Sequence, residues 1–434
     1  MDREYTCIKD GKLYFDGCDC VSLAEEFGTP VYVYSQSILK DRIKELKQSF
    51  TDGRPKNRIA YAAKAFCTAA MLRLIAKEGL CVDVVSGGEL YTALKAGVPA
   101  ERIEFNGNNK TADELGLAVV SGVGRIIVDS LQELDILESI CKEEGKKARV
   151  LFRITPGVKA DSHDYIVTGK KDSKFGIPLD DDIILPYVKK AIDSQFIDFL
   201  GLHFHVGSQL FDNSAHIAAL DIALALADKI AENFGYRIEE LNLGGGFGIR
   251  YTEEVRKPYS YFLDPLLARV DEYAAQRGIS APALVIEPGR SVVGEAGIML
   301  YTAGSVKDIP GLRNYAAVDG GMTDNIRPAL YGAKYEAVVA NKADAAANKT
   351  VTICGKCCES GDILIKDAVL PAIEPGDTIV LFSTGAYGYS MASNYNRNTI
   401  PGVVFVENGK AEWAVLPQTY EQMTANDVIP DSLK

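Results

Sequence analysis

Lys64 closes a short apolar run, Tyr61-Ala-Ala-Lys64-Ala-Phe66, and four further groups of chemically capable residues follow it. They are His203-Phe-His205-Val-Gly-Ser208, Gly244-Gly245-Gly246-Phe247, Glu287-Pro-Gly-Arg290 and Cys357-Cys358-Glu359-Ser-Gly-Asp362. A lysine at an inner strand end, flanked by Ala62, Ala63 and Ala65, is expected to be partly desolvated. Desolvation favours the neutral amine that condenses with an aldehyde. Consecutive glycines let backbone N–H groups approach a phosphate that side chains would obstruct. Ser208 and Tyr387, the latter in Gly385-Ala-Tyr387-Gly, can add hydroxyl donors. Glu287 is an acid to set against a pyridine nitrogen, where a carboxylate keeps the ring protonated and able to accept electrons. Lysine, glycine triplet and acid together describe a site for a phosphorylated aldehyde cofactor.

Each group also has a plainer reading. Lys64 could be a salt-bridged surface lysine, the glycines an ordinary tight turn, and Glu287 a partner for Arg290. His203 and His205 share one strand face through the period of two, and such a pair inside a barrel could bind a metal. The only other histidines, His163 and His216, fall at no strand end, so no metal site is expected and His205 better suits stacking on a flat cofactor. Cys358 could be an inert thiol beside a surface acid. As a proton donor it would have to be protonated at rest, the reverse of a reactive thiolate.

The elements that must position these residues follow from periodicity. Eight apolar, β-prone runs occupy 58–63, 81–85, 103–106, 125–128, 148–154, 199–205, 239–243 and 283–286. Helical patterns fill the intervals at 68–78, 88–96, 111–120, 131–144, 178–193, 214–233 and 258–277. Thr68, Thr111 and Ser214 are expected N-caps, and Gly79, Gly97 and Gly145 expected stops. Eight such repeats fit a (β/α)8 TIM-type barrel of about 250 residues. A doubly wound sheet is the rival, but no G-x-G-x-x-G follows the first run. Lys64, Asp83, Asn106, Asp129, Arg153, His205, Gly244–Gly246 and Glu287 all fall at or just past the C-terminal ends of the runs. That is the active face of this fold, with phosphate sites favoured after the last two strands.

Beyond 290 the helical period disappears. Strand-like runs at 298–307, 314–318, 350–354, 363–366, 377–382 and 402–416, with turns at Glu374-Pro-Gly-Asp377 and Glu407-Asn-Gly409, predict an all-β second domain, a Greek-key-like barrel. The Tyr32-Val-Tyr34 run is expected to join it, giving a barrel over 35–290 and a β domain from 1–34 and 291–434. The stretch 337–349 reads as a loop or small helix.

With 434 residues and 47% hydrophobic content, the chain can bury a large core. Its 59 acidic against 47 basic residues leave a net charge of −12, which argues against a nucleic-acid or membrane-surface partner and for a small ligand. The N-terminus lacks the apolar core of a signal peptide, and no stretch reads as membrane-spanning. Nine scattered cysteines without zinc spacing indicate reduced thiols and a cytoplasmic location.

Together these residues resemble the diaminopimelate decarboxylases, pyridoxal-phosphate enzymes of the alanine racemase-like fold group. The resemblance spans almost the whole chain and includes Asp83-Val-Val-Ser-Gly-Gly-Glu89, Gly107-Asn-Asn-Lys110-Thr, Thr168-Gly with Ser173-Lys-Phe-Gly176, Arg327-Pro-Ala-Leu-Tyr331 and Ser393-Asn-Tyr395-Asn. Ornithine-type decarboxylases share Lys64, His205, Glu287 and the thiol motif, whereas Arg327-Pro-Ala-Leu-Tyr331 and Cys358-Glu359 lean toward diaminopimelate. The resemblance implies that Lys64 forms the Schiff base, His205 stacks on the pyridine ring and Glu287 contacts its nitrogen. It implies that Ser208, Gly244, Gly245, Gly246 and Tyr387 hold the phosphate region. Arg290, Arg327 and Tyr331 would clamp the distal carboxylate of the substrate, with Glu359 on its ammonium, and Cys358 would reprotonate the α-carbon. It also implies a homodimer in which Cys358 and Glu359 reach the partner's site. The expected reaction converts meso-2,6-diaminoheptanedioate to L-lysine and CO2, the last step of lysine biosynthesis. The alternative is the same chemistry on ornithine, arginine or carboxynorspermidine. Two stretches depart from the family pattern: Tyr335, where relatives often carry histidine, and Arg397-Asn-Thr-Ile-Pro401.

Overall fold

The computed structural model describes residues 3–158 and 173–434. Eight parallel strands, Arg58–Ala62, Cys81–Val84, Ile103–Phe105, Arg125–Val128, Ala148–Arg153, Ile197–His203, Glu240–Asn242 and Ala283–Ile286, pair in chain order. The eighth closes on the first, with Val285 opposite Arg58 and Ile286 opposite Ile59, so no barrel edge stays unpaired. The expected (β/α)8 barrel is present.

Helices Ala69–Lys77, Gly87–Lys95, Ala112–Ser121, Leu131–Glu144, Asp181–Asp193, Ser214–Phe234 and Tyr259–Arg277 make the crossovers. Side-chain oxygens satisfy the first free N–H groups: Thr68 accepts from Met71, Ser86 from Glu89, Thr111 from Glu114 and Ser130 from Glu133. Ser214 is not a cap. It is the first helical residue, because Asp212 Oδ1 takes its N–H at 2.8 Å and leaves Asn213 at the cap position. Helix 178–193 likewise begins later, at Asp181, behind Asp180. Gly79 and Gly97 each lie one residue past their caps, Glu78 and Ala96.

The chain divides into two compact units. One comprises 42–249 and 255–291 and holds the barrel; the other comprises Met1–Asp41, Arg250–Glu254 and Val292–Lys434. The second is built on a nine-stranded sheet in which Val31–Ser35 lies between Gly297–Ile309 and Gly402–Glu407. Arg250–Glu254 is tied to this unit by Arg3, whose guanidinium donates to the carbonyls of Arg250 at 3.1 Å and Tyr251 at 2.6 Å. Two expectations need correction. The stretch read as a loop or small helix does contain a 3-10 turn, Ala340–Lys342, but opens on a strand, Ala337–Val339, paired with Thr378–Leu381; three residues carry too little periodicity to show it. The unit is also mostly rather than wholly β, since it contains the helices Arg327–Tyr331 and Tyr420–Thr424.

Candidate active site

The C-terminal ends of the barrel strands carry most of the expected cofactor residues. Lys64 sits in a single 3-10 turn, Ala63–Ala65, directly after the first strand. The buried Tyr61 hydroxyl pins that turn by donating to the Phe66 carbonyl at 2.9 Å. Lys64 is half-buried, and its charge favours the ionised forms of Asp83, Glu89 and Glu287.

Glu287 follows the eighth strand and is buried. Its Oε1 accepts from Asn106 Nδ2 and Asn242 Nδ2, both at 2.9 Å, and lies 3.0 Å from His203 Nε2. A carboxylate only accepts, so His203 carries its proton on Nε2 and donates it. Burial alone would push the Glu287 pKa up. The His203 N–H bonded to it, together with the Lys64 charge, outweighs burial and holds it well below the usual carboxylate range. Asp83, bonded to Asn106 Nδ2 at 2.6 Å, goes the other way: burial and the neighbouring Glu287 charge keep its proton on. Of two adjacent acids, one is therefore ionised and one neutral. Arg290, three residues on from Glu287, donates from Nε to Ser208 Oγ at 3.1 Å.

The glycine triplet packs backbone against backbone. A Cβ on Gly244 would lie 2.5 Å from the Phe204 carbonyl oxygen, and one on Gly245 would lie 2.1 Å from that of Glu287. Gly244 and Gly246 also have φ of 67° and 106°, which L side chains rarely adopt. His205 is fixed by the same turn, its Nδ1 accepting the Gly245 N–H at 3.2 Å. Burial and the Lys64 charge lower its pKa far enough to keep the ring neutral. His216 supports the turn from behind, donating from Nε2 to the Gly245 carbonyl at 2.8 Å and stacking on Phe247. A close-approach glycine turn, a neutral imidazole, an ionised acid and a lysine suit pyridoxal phosphate.

His203 and His216 are spent on Glu287 and Gly245, and among the described residues no three His, Cys, Asp or Glu side chains group to hold an ion. His163 and the Thr168-Gly169 motif lie outside the described residues.

The β unit carries the remaining candidates, in two places. Arg327 is buried, donates from Nε to the Tyr335 hydroxyl at 2.9 Å, and lies 5.7, 5.5 and 5.7 Å from the ring centres of Tyr251, Tyr331 and Tyr387. Burial works against its charge, but Tyr251, Tyr335 and Tyr387 outweigh burial and raise its pKa above the usual arginine value. Tyr387 holds its ring there from a left-handed backbone, at φ 61°. The departure at Tyr335 thus puts a phenol oxygen on the arginine. Arg397, in the other departure, pairs with Asp427 at 2.6 Å.

Cys358 and Glu359 are exposed, on a loop with fixed ends. The buried Asp362 accepts from Met322 N at 2.7 Å and Cys357 N at 2.8 Å, while Cys358 N donates to Asn396 Oδ1 at 2.7 Å. Burial and the Asp362 charge push the Cys357 thiol up to about 11, which marks it as the inert member of the pair.

Sequence reasoning missed Asn242, Tyr251 and the use made of Tyr335. The Asn242 signal was available: an asparagine, poorly suited to strands, interrupts the run Leu241-Asn242-Leu243.

Comparison with known proteins agrees with the geometry. Residues 37–294 match the family model described as pyridoxal-dependent decarboxylase, pyridoxal binding domain. The chain belongs to the pyridoxal-phosphate-dependent decarboxylases. It is 50% identical over 419 residues to the diaminopimelate decarboxylase of Bacillus subtilis (strain 168), covering 96% of this chain and 95% of that one. It is 41% identical to that of Staphylococcus aureus (strain COL), covering 96% and 98%. The crystal structure of diaminopimelate decarboxylase from M. jannaschii superposes with a TM-score of 0.92 at 35% identity, covering 100% of this chain and 99% of that one. Within the decarboxylases, the chain belongs to the diaminopimelate decarboxylase family.

Proposed function

We propose that this protein removes CO2 from the meso-2,6-diaminoheptanedioate carbon that faces the cofactor, yielding L-lysine. The observation that carries the substrate assignment is the Arg327 guanidinium, held charged inside Tyr251, Tyr331, Tyr335 and Tyr387. A substrate with an amino-acid group at each end reacts at only one of them if the other is gripped, and a buried fork of N–H donors grips a carboxylate. The M. jannaschii relative has also been crystallised with L-lysine.

Pyridoxal phosphate, when bound, supplies the electron sink for the bond that breaks. Lys64 is the amine placed to attach its aldehyde. His205, neutral and fixed by Gly245, would line the ring face, and Glu287, a carboxylate, would meet the ring nitrogen. Gly244, Gly245, Gly246, Ser208, Arg290 and Tyr387 serve the phosphate region. Arg290 and Tyr331 assist Arg327 at the distal carboxylate, and Glu359 takes the distal ammonium. Holding the scissile bond in line with the ring is a large part of the rate enhancement.

Cys358 holds the proton that the α-carbon receives, and we assign Cys358 and Glu359 to the site of a second copy in a homodimer. Both side chains are exposed while their backbone is anchored by Asn396 and Asp362, as a loop contributed to a partner requires. A cytoplasmic location accords with the nine free thiols.

The test is product formation from meso-diaminopimelate with added pyridoxal phosphate, against ornithine, arginine and carboxynorspermidine. Lysine from diaminopimelate alone supports the assignment; turnover of another substrate in its place removes Arg327, Tyr331 and Glu359 from the clamp. Mixing Cys358→Ala with Lys64→Ala subunits checks the shared site. Regained activity supports it, and none overturns it.

A further inference from the structure

Asn242 ends the seventh barrel strand, is fully buried, and has both ends of its amide committed. Its Oδ1 accepts the N–H of Gly244 at 2.9 Å. That contact fixes which atom is oxygen, since a backbone N–H only donates. Its Nδ2 donates to Glu287 Oε1 at 2.9 Å and to Glu104 Oε2 at 3.0 Å. One side chain thus joins the first residue of the glycine triplet to Glu287, with a second buried acid, Glu104, beneath it. Asn106 does half as much, bridging Glu287 and Asp83 without touching the triplet.

We propose that Asn242 is a positioning residue that holds the ring proton on the cofactor nitrogen and ties that end of the site to the phosphate cradle. This rests on the reading of Glu287 as the ring-nitrogen acid. Each N–H donated to Glu287 favours its ionised form and lowers its hunger for a proton. The proton shared between a pyridine nitrogen and a carboxylate then resides on the ring. Remove the donor, and Glu287 becomes the better base and the proton moves to it, leaving a neutral ring that is a poorer electron sink. Glu104 is beneath the amide for a consistent reason. Burial and Glu240 push it up to about 8, so at neutral pH it is largely uncharged and accepts from Asn242 without adding a second negative charge beside Glu287.

Two variants separate the two halves of the role. Asn242→Asp keeps an oxygen for the Gly244 N–H and loses the amide donors, whereas Asn242→Ala loses both. Each is loaded with pyridoxal phosphate labelled with 15N in the ring, whose chemical shift reports protonation of that nitrogen. In Asn242→Asp the shift moves toward the neutral ring and kcat falls about tenfold or more, the scale of a lost hydrogen bond to a charged group, while substrate KM and cofactor Kd hold. In Asn242→Ala the cofactor Kd also rises about tenfold. Should Asn242→Asp fail to fold, pairing it with Glu104→Gln removes the crowding acid and gives the same reading. Glu287→Gln is run alongside. If its 15N shift equals the parent's, the reading of Glu287 fails. If Glu287→Gln moves the shift and the Asn242 variants leave shift and Kd unchanged, the role of Asn242 is overturned.

Discussion

At the N-terminal end of the barrel interior, Glu104 and Glu240 face Arg58 and Arg125; at the C-terminal end, Glu287 and Asp83 face two asparagine amides and a histidine. In the lower layer Arg125 Nη2 lies 3.0 Å from Glu240, and Arg58 also pairs with Glu240 and approaches Glu104 at 3.7 Å. The Glu240 carboxylate there is met by opposite charge from both guanidiniums. In the upper layer Glu287 stays ionised on neutral donors, which stabilise the carboxylate without neutralising it. Cancelled charge suits a structural plug, while stabilised but uncompensated charge remains available to a ligand that brings a cation. A barrel of this fold keeps stability at one end and chemistry at the other, and here the choice of partners shows which is which.

The β unit treats a buried cation as the upper layer treats its acid. Arg327 is surrounded by phenol oxygens and ring faces rather than by a carboxylate. It too is left with charge to offer.

The largest expected effect falls on the upper layer. Lys64→Ala should cost at least about a thousandfold in turnover, as for loss of a nucleophile, and abolish the cofactor's visible absorbance shift. Unchanged absorbance would remove Lys64 from the site. Arg327→Ala should lower kcat/KM about a hundredfold, mostly through KM, with cofactor Kd unchanged. Equal kinetics in variant and parent would refute the clamp. Tyr335→Phe removes one hydroxyl from Arg327 and should cost about tenfold in the same parameter; an effect on kcat instead would place Tyr335 elsewhere in the cycle.

The smallest effect is a slope in the lower layer. Glu104 keeps its proton in the folded chain up to about 8, because burial and Glu240 oppose its ionisation, whereas in the unfolded chain it loses it near 4.3, the usual glutamate value. Between those values the folded state binds more protons, so stability falls as pH rises, levelling off above about 8. Asp324, raised by burial to about 7, contributes a similar decline that ends lower. Glu104→Gln should flatten the upper part of this decline in urea unfolding measured from pH 5 to 9. An unchanged slope would show that Glu104 is ionised at neutral pH.

Much of this was legible in the sequence, for identifiable reasons. Several barrel strands announced themselves because their apolar runs end at or just before a polar residue of the candidate site, as with Asp83, Asn106 and Glu287. What escaped was decided by partners far away in the chain. Asn242 meets Glu287 45 positions on and Glu104 138 positions back, and local spacing encodes neither contact. The strand Ala337–Val339 exists through its pairing with Thr378–Leu381, and the cap position falls on Asn213 because Asp212 takes the Ser214 N–H.

The most direct measurement makes Glu240→Gln and Glu287→Gln and determines unfolding midpoint and kcat on the same two preparations. Glu240→Gln should remove the carboxylate that Arg58 and Arg125 both touch, cost about 3–5 kcal/mol of stability, and spare the turnover of the folded enzyme. Glu287→Gln should reduce kcat about a hundredfold or more while leaving the midpoint at or above the parent's. The reverse pattern, with turnover lost at Glu240 and stability lost at Glu287, would contradict the division of the barrel into a structural and a chemical layer.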